Sequence, residues 1–177
     1  MKRTQLLGLL FLLIITSSSN CKKTLFGENL PAATQEGKNT CGFLVNGKVW
    51  VASKNGFDEL SSYYDPTFNG GTFHISAKKY NGGSSSDFTS FAVASYNISG
   101  TGYYKLNINP DAVGIFSNSI NYCFLNWDDT IPNHNAFLNI SKFDLQNGII
   151  SGTFEFALTK TGCETVRITQ GRFDMKY

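Results

Sequence analysis

Arginine is almost missing from this chain: only Arg3, Arg167 and Arg172 occur, and the formal net charge is +2. Lys2 and Arg3 account for that excess, so residues 21–177 carry as many acidic as basic groups. A nucleic-acid partner needs a basic stripe that displaces phosphate counterions, and the sequence has none. Histidine is just as sparse. His74 and His134 are far apart and form neither a His-x-His nor a His-Glu-x-x-His pattern, and no Cys-x-x-Cys is present. Metal-site motifs are therefore lacking. So are the Gly-x-Ser-x-Gly elbow, the phosphate loop and the dinucleotide fingerprint. No catalytic residue and no cofactor is expected. A carboxylate pair for hydrolysis needs only to meet in space, so an unrecognised hydrolase remains one reading. Glu155 and Asp174 fall on regular strands, however, and read as exposed-face charges. Helical periodicity is absent after residue 20. The one long apolar run, residues 6–15, has about ten residues and is too short to span a bilayer.

That run has a specific setting. Met1-Lys2-Arg3 precedes it, Thr16-Ser17-Ser18-Ser19-Asn20 follows, and then comes Cys21. A positive start, an apolar stretch and small or polar residues make a secretory signal. A cysteine at the cut site resembles the lipobox of bacterial lipoproteins. Ser18 and Asn20 match the looser boxes of Bacteroidetes lipoproteins better than the strict Leu-Ala-Gly-Cys form. The resemblance implies a thiol that accepts diacylglycerol, cleavage before Cys21 and acylation of the new amine. Three acyl chains at about 0.8 kcal/mol per buried CH₂ make a firm anchor. The membrane is then the one expected partner that can be named, and the outer membrane the expected address. Lys22-Lys23 stand where surface-exported members carry acidic residues, which points to the periplasmic face. The competing reading is an ordinary signal peptide with Cys21 left as a thiol. The expected organisation is a signal peptide over 1–20, an anchor and tether over 21–40, and one folded domain over 41–177.

Charged residues make up 16% of the chain and aromatics 14%, with 17 Gly, 15 Phe and 8 Tyr. Such residues suit half-buried pleated sheets joined by turns. Asn46-Gly47 between apolar runs predicts a two-residue hairpin that pairs Phe43 with Trp50 in the core. Residues 72–80 alternate, with Phe73, Ile75 and Ala77 on one face. Residues 88–98 are apolar on both faces and predict a central strand. Gln146-Asn147-Gly148 marks a second hairpin. In the last strand Val166 and Ile168 have one parity and Phe173, Met175 and Tyr177 the other, so a bulge is expected at Gln170-Gly171. About eight to nine strands imply an antiparallel β-sandwich, with a calycin-like β-barrel as the alternative.

Residues 30–50 (LPAATQEGKNTCGFLVNGKVW), 150–158 (ISGTFEFAL) and 168–177 (ITQGRFDMKY) together resemble a family of Bacteroidetes outer-membrane lipoproteins known as a domain of unknown function. The likeness spans nearly the whole chain after Cys21. It implies address and fold and brings no catalytic residues.

Three cysteines remain beyond Cys21. An exported chain meets an oxidising compartment, so one disulfide and one spare thiol are expected. Cys41 opens the first strand, Cys163 lies in the last hairpin turn, and Cys123 sits among apolar neighbours that suit a buried thiol. The expected pair is Cys41–Cys163; the sequence leaves the other pairings open. Tyr63, Tyr64, Tyr103, Tyr104 and Trp127 fall at predicted strand ends or loops. They are candidates for an aromatic platform that binds a sugar or another apolar-faced ligand, against the alternative that they cap the core. Asp128, Asp129 and His134 share a loop that reads as solvated, and Asp129-Thr130-Ile131 resembles an O-glycosylation signal. The expected function is a non-catalytic membrane-anchored lipoprotein acting as a binding or envelope-structural module, its protein or glycan partner unspecified. The alternatives are a calycin-like carrier of a small apolar ligand and the hydrolase.

Overall fold

The computed structural model describes residues 29–52, 60–81, 86–106, 112–119, 123–126 and 135–177. Among them are eleven strands and no helix. One sheet contains β1 (Thr40–Val45), β2 (Lys48–Val51), β6 (Gly102–Lys105), β9 (Phe137–Asp144), β10 (Ile149–Leu158) and β11 (Val166–Lys176), in the order β2-β1-β11-β10-β9-β6. The other contains β3 (Leu60–Asp65), β4 (Thr72–Tyr80), β5 (Phe88–Ser95), β7 (Ala112–Asn118) and β8 (Cys123–Asn126), in the order β3-β4-β5-β7-β8. Neither sheet closes on itself or on the other, so the fold is an antiparallel sandwich and not a barrel. β5 is the central strand of its sheet, as its apolar character predicts. The strand count exceeds the expected eight to nine because β3 and β7 show no clean apolar alternation. β3 (LSSYYD) is an edge strand that needs only one apolar face, and Gly114 interrupts the apolar pattern of β7.

Phe91 of β5 anchors the core. Its ring lies 4.6 Å from Phe43 of β1 and 5.1 Å from Phe154 of β10, strands that are two apart in the facing sheet. Phe73 of β4 stacks on Phe173 of β11 at 5.3 Å. Offset stacks of this kind add to the area term of burial. All these contacts lie within residues 29–177, which bury one core among themselves.

The Asn46-Gly47 turn is as expected. Asn46 has φ 48° and Gly47 φ 80°, the positive pair of a type I′ turn. Phe43 pairs with Trp50 in register, and their rings stack at 4.5 Å. The bulge in β11 is also present, between the rungs Phe154–Gly171 and Phe156–Ile168. Its positive φ falls on Gln170 (52°), not on Gly171. The glycine is needed there for space: a Cβ at Gly171 would lie 2.5 Å from Phe154 Cε2. Glu155 accepts the Gln170 amide at 3.0 Å, so this expected surface charge supports the bulge.

Residues 29–39 are a strap across the outer side of the six-stranded sheet. Phe173 and Met175 point into the core, so Asp174 points out. It is nevertheless only 1% exposed, a correction to its reading as a surface charge. The strap covers it. The amides of Glu36, Gly37 and Lys38 donate to its carboxylate at 3.1, 2.8 and 3.2 Å. The hydroxyls of Thr34 and Ser151 donate at 2.5 and 2.7 Å. Burial raises the carboxyl pKa, but the Thr34, Ser151, Gly37 and Glu36 bonds outweigh it and hold the group at about 2. Further along the strap, Asn39 accepts the Lys176 amide at 2.8 Å, and Gln35 reaches Ser141 at 3.0 Å.

Two tests follow from this geometry. Gly47→Val should lower the urea midpoint by backbone strain of about 1–3 kcal/mol. No core contact is removed, because nothing lies within 4 Å of the missing Cβ. An unchanged midpoint together with unchanged tryptophan emission would disprove the hairpin register. The second test concerns pH. The folded pKa of Asp174, about 2, lies below the ordinary aspartate value of about 3.9. Its contribution is therefore complete above pH 4 and lost as the pH falls from 4 toward 2, and it amounts to about 2 kcal/mol. Asp174→Asn should flatten the urea-midpoint profile in that window relative to the parent. Asp144, also held near 2 by Asn147, titrates in both proteins and cancels in the difference.

Candidate functional site

The two ends of the sandwich differ. At one end the gap between sheets is filled by an aromatic plug: Tyr64 of β3 meets Phe143 of β9 edge-on at 5.0 Å and Tyr177 at 5.7 Å. Burial raises the pKa of Tyr64 and of Tyr177. At the other end a cleft of about 440 Å³ opens where the β1–β2 hairpin, the start of β5, the end of β7, the start of β8 and the approach to β11 converge. A volume of this size, mostly apolar with a few polar groups, is what small-molecule sites have.

The hairpin supplies the lip. Val45, Asn46, Lys48, Val49 and Trp50 all line the cleft. Asn46 holds the lip to the β10–β11 turn. Its side chain donates to Glu164 Oε1 and to the Thr165 carbonyl, both at 3.0 Å, and accepts the Arg167 amide at 2.8 Å. Trp50 forms part of the floor, 5% exposed, and its Nε1–H donates to the Thr89 hydroxyl at 2.7 Å. Thr89 thereby accepts one bond and keeps its own hydroxyl proton to donate. Phe116, Leu125 and Val166 complete the apolar wall. Two charged side chains stand at the rim, Lys48 and Glu164. Glu164 is engaged by Asn46, whereas Lys48 makes no ion pair among the described residues.

A disulfide forms one side of this end, and it is not the expected one. Cys123 at the start of β8 is bonded to Cys163 in the β10–β11 turn, with Cα atoms 5.9 Å apart. Cys41 is the free thiol, 1% exposed, and burial pushes its pKa up. The register explains the difference. β1 runs antiparallel to β11, so Val45 sits beside Ile168 near Cys163 while Cys41 sits beside Phe173. Val166 to Phe173 is about 23 Å of strand. Cys41 is thus at the wrong end of β1 to reach the turn. The bond that forms ties one sheet to the other.

The structure does not gather the tyrosines into one platform. Neighbours on a strand face opposite ways. Tyr64 and Tyr104 turn inward and are partly buried against the core, their hydroxyls donating to the carbonyls of Ile98 and Gly100 at 2.9 and 2.8 Å. Tyr63 and Tyr103 are 53% and 60% exposed, on β3 and β6, which belong to different sheets. Tyr103 does stack on Phe137 at 5.1 Å, a local pair. Trp127, Cys21, Asp128, Asp129 and His134 lie outside the described residues. His74 is on β4, half-buried, its pKa lowered by burial. No group of three metal-ligating side chains occurs among the described residues.

Sequence reasoning found Trp50 and the hairpin but placed them only in the core. What it missed was that one end of the sandwich stays open beside them, a property of how β8 and the last turn sit against the facing sheet. No family model, no curated protein and no solved structure matches this chain.

Non-reducing peptide mapping should recover a Cys123–Cys163 link and an unlinked Cys41. Cys41 should resist alkylation until the protein is unfolded. Closing a loop of this length is worth about 2–4 kcal/mol, so Cys163→Ser should lower the urea midpoint accordingly, while Cys41→Ala, which breaks no covalent bond and buries no hydroxyl, should lower it less. A peptide joining Cys41 to either partner would refute the sheet register.

Proposed function

We propose that this chain is a non-catalytic, membrane-anchored lipoprotein that acts as a binding module, fixed to the periplasmic face of an outer membrane through Cys21. The observation that carries the anchor is the order of residues 1–21: two cations, an apolar run of about ten residues, small polar residues and then cysteine. The composition fits a protein that works in the envelope, with equal numbers of acidic and basic groups after residue 20. The non-catalytic reading is supported by how the candidate acids are used. Asp174 is spent on the strap amides and Glu155 on the bulge. The binding reading is supported by the open end of the sandwich, where apolar walls meet a small number of polar groups. The likeness of residues 30–50, 150–158 and 168–177 to Bacteroidetes lipoproteins agrees with the same address.

Cys21→Ala should abolish palmitate incorporation and leave the precursor uncut by the lipoprotein signal peptidase. Equal labelling of parent and variant would refute the anchor.

A further inference from the structure

We propose that the cleft at the open end of the sandwich takes a small carboxylate amphiphile, its apolar body against Trp50, Phe116 and Leu125 and its carboxylate paired with Lys48. This deepens the reading of the fold as a binding module and rests on it.

Size comes first. The cleft holds about 440 Å³. At about 30 Å³ for each water-sized group, that admits a body of roughly a dozen or so non-hydrogen atoms. Polarity comes second. The inner wall is made of apolar side chains, and the indole N–H that could have faced a ligand is already donated to Thr89. Water held against such a wall makes few bonds, and an apolar body displaces it favourably. Charge comes third and selects the head group. Of the two charged residues at the rim, Glu164 is bound by the Asn46 side chain, and Lys48 has no ionic partner among the described residues. Glu164 keeps its negative charge but its Oε1 is taken up by the Asn46 amide, so Lys48 is the charged rim group free to turn toward a ligand, and it favours an anionic head. Finally, the lip that carries Lys48 is held in place. Asn46 fixes the turn to the β10–β11 connection and the start of β11 through four hydrogen bonds, its backbone amide to Arg167 O at 3.0 Å among them. A lip fixed before binding loses little entropy when the ligand arrives.

The same chemistry is met in a straight-chain fatty acid and in an aromatic acid. Titration calorimetry on the chain from residue 22 onward, which contains the whole described core, would use decanoate below its micellar range, 2-naphthoate and uncharged decanol. At least one of the two carboxylates should bind with one-to-one stoichiometry and more tightly than decanol; whichever binds better identifies chain or ring. Lys48 is exposed, so Lys48→Gln should keep the parent urea midpoint. It should weaken the carboxylate probe about tenfold, the scale of one charge-assisted bond, and leave decanol unchanged. Val45→Trp, which fills the cleft, should remove binding of every probe. Absence of binding by both acids overturns the proposal, as does equal affinity for decanol or indifference to Lys48→Gln. None of these outcomes bears on palmitate labelling at Cys21, so the ligand and the anchor fail separately.

Discussion

A carboxylate taken out of water must be given its hydrogen bonds by the protein, because an unmet buried charge costs several kcal/mol. Asp174 imposes that demand on the rest of the molecule. It sits on β11 with its side chain on the outward face, where a short polar side chain would ordinarily be wet. Three consecutive strap amides and two hydroxyls replace the water. To supply them, residues 34–38 must curl over the sheet next to Ser151 of β10. That placement in turn brings Asn39 onto the Lys176 amide and sets where β1 begins. Three segments meet here: the Thr34–Lys38 turn, Ser151, and Asp174 itself. They are far apart in the chain and adjacent in space.

The sandwich is then held differently at its two ends. Tyr64, Phe143 and Tyr177 fill one end with rings, whose burial joins the sheets without a covalent link. At the other end the cleft removes that contact area, and the Cys123–Cys163 bond keeps the short strand β8 next to the six-stranded sheet. Lys160 reinforces it by donating to the Phe124 carbonyl at 3.2 Å. An open cleft between two sheets would otherwise invite their separation. The position of the disulfide is thus a mechanical requirement of leaving that end unfilled.

Much of the architecture was legible in the chain because it is local. Asn46-Gly47 dictates its turn, and the turn dictates the Phe43–Trp50 rung. The parity conflict in residues 166–177 requires a bulge wherever the strand is buried on one side. The features that were illegible are all set by distant partners. Asp174 alternates like any surface residue, and nothing in FDMKY says that Gly37 will cover it. In the sequence Cys41 is as able as Cys123 to reach Cys163 until the direction of β1 is known. β3 carries two serines and β7 a glycine, so neither shows a clean apolar alternation, and only pairing with β4 and β5 makes them strands. The cleft is harder still to foresee, since it is a space bounded by five separate segments.

β11 has one further consequence. It is the last strand in chain order, yet it lies between β1 and β10 in the interior of its sheet. While the chain emerges with its N-terminus first, β1 and β10 each keep an unpaired edge until β11 follows. Open edges are templates for pairing with other chains. The sheet is most open to wrong partners after β10 has formed and before β11 fills the slot between β1 and β10. Seen from the opposite side, the slot is a socket: a separate strand of sequence VRITQGRFDMK, bringing the Asp174 carboxylate with it, carries everything that the sheet and the strap are waiting for.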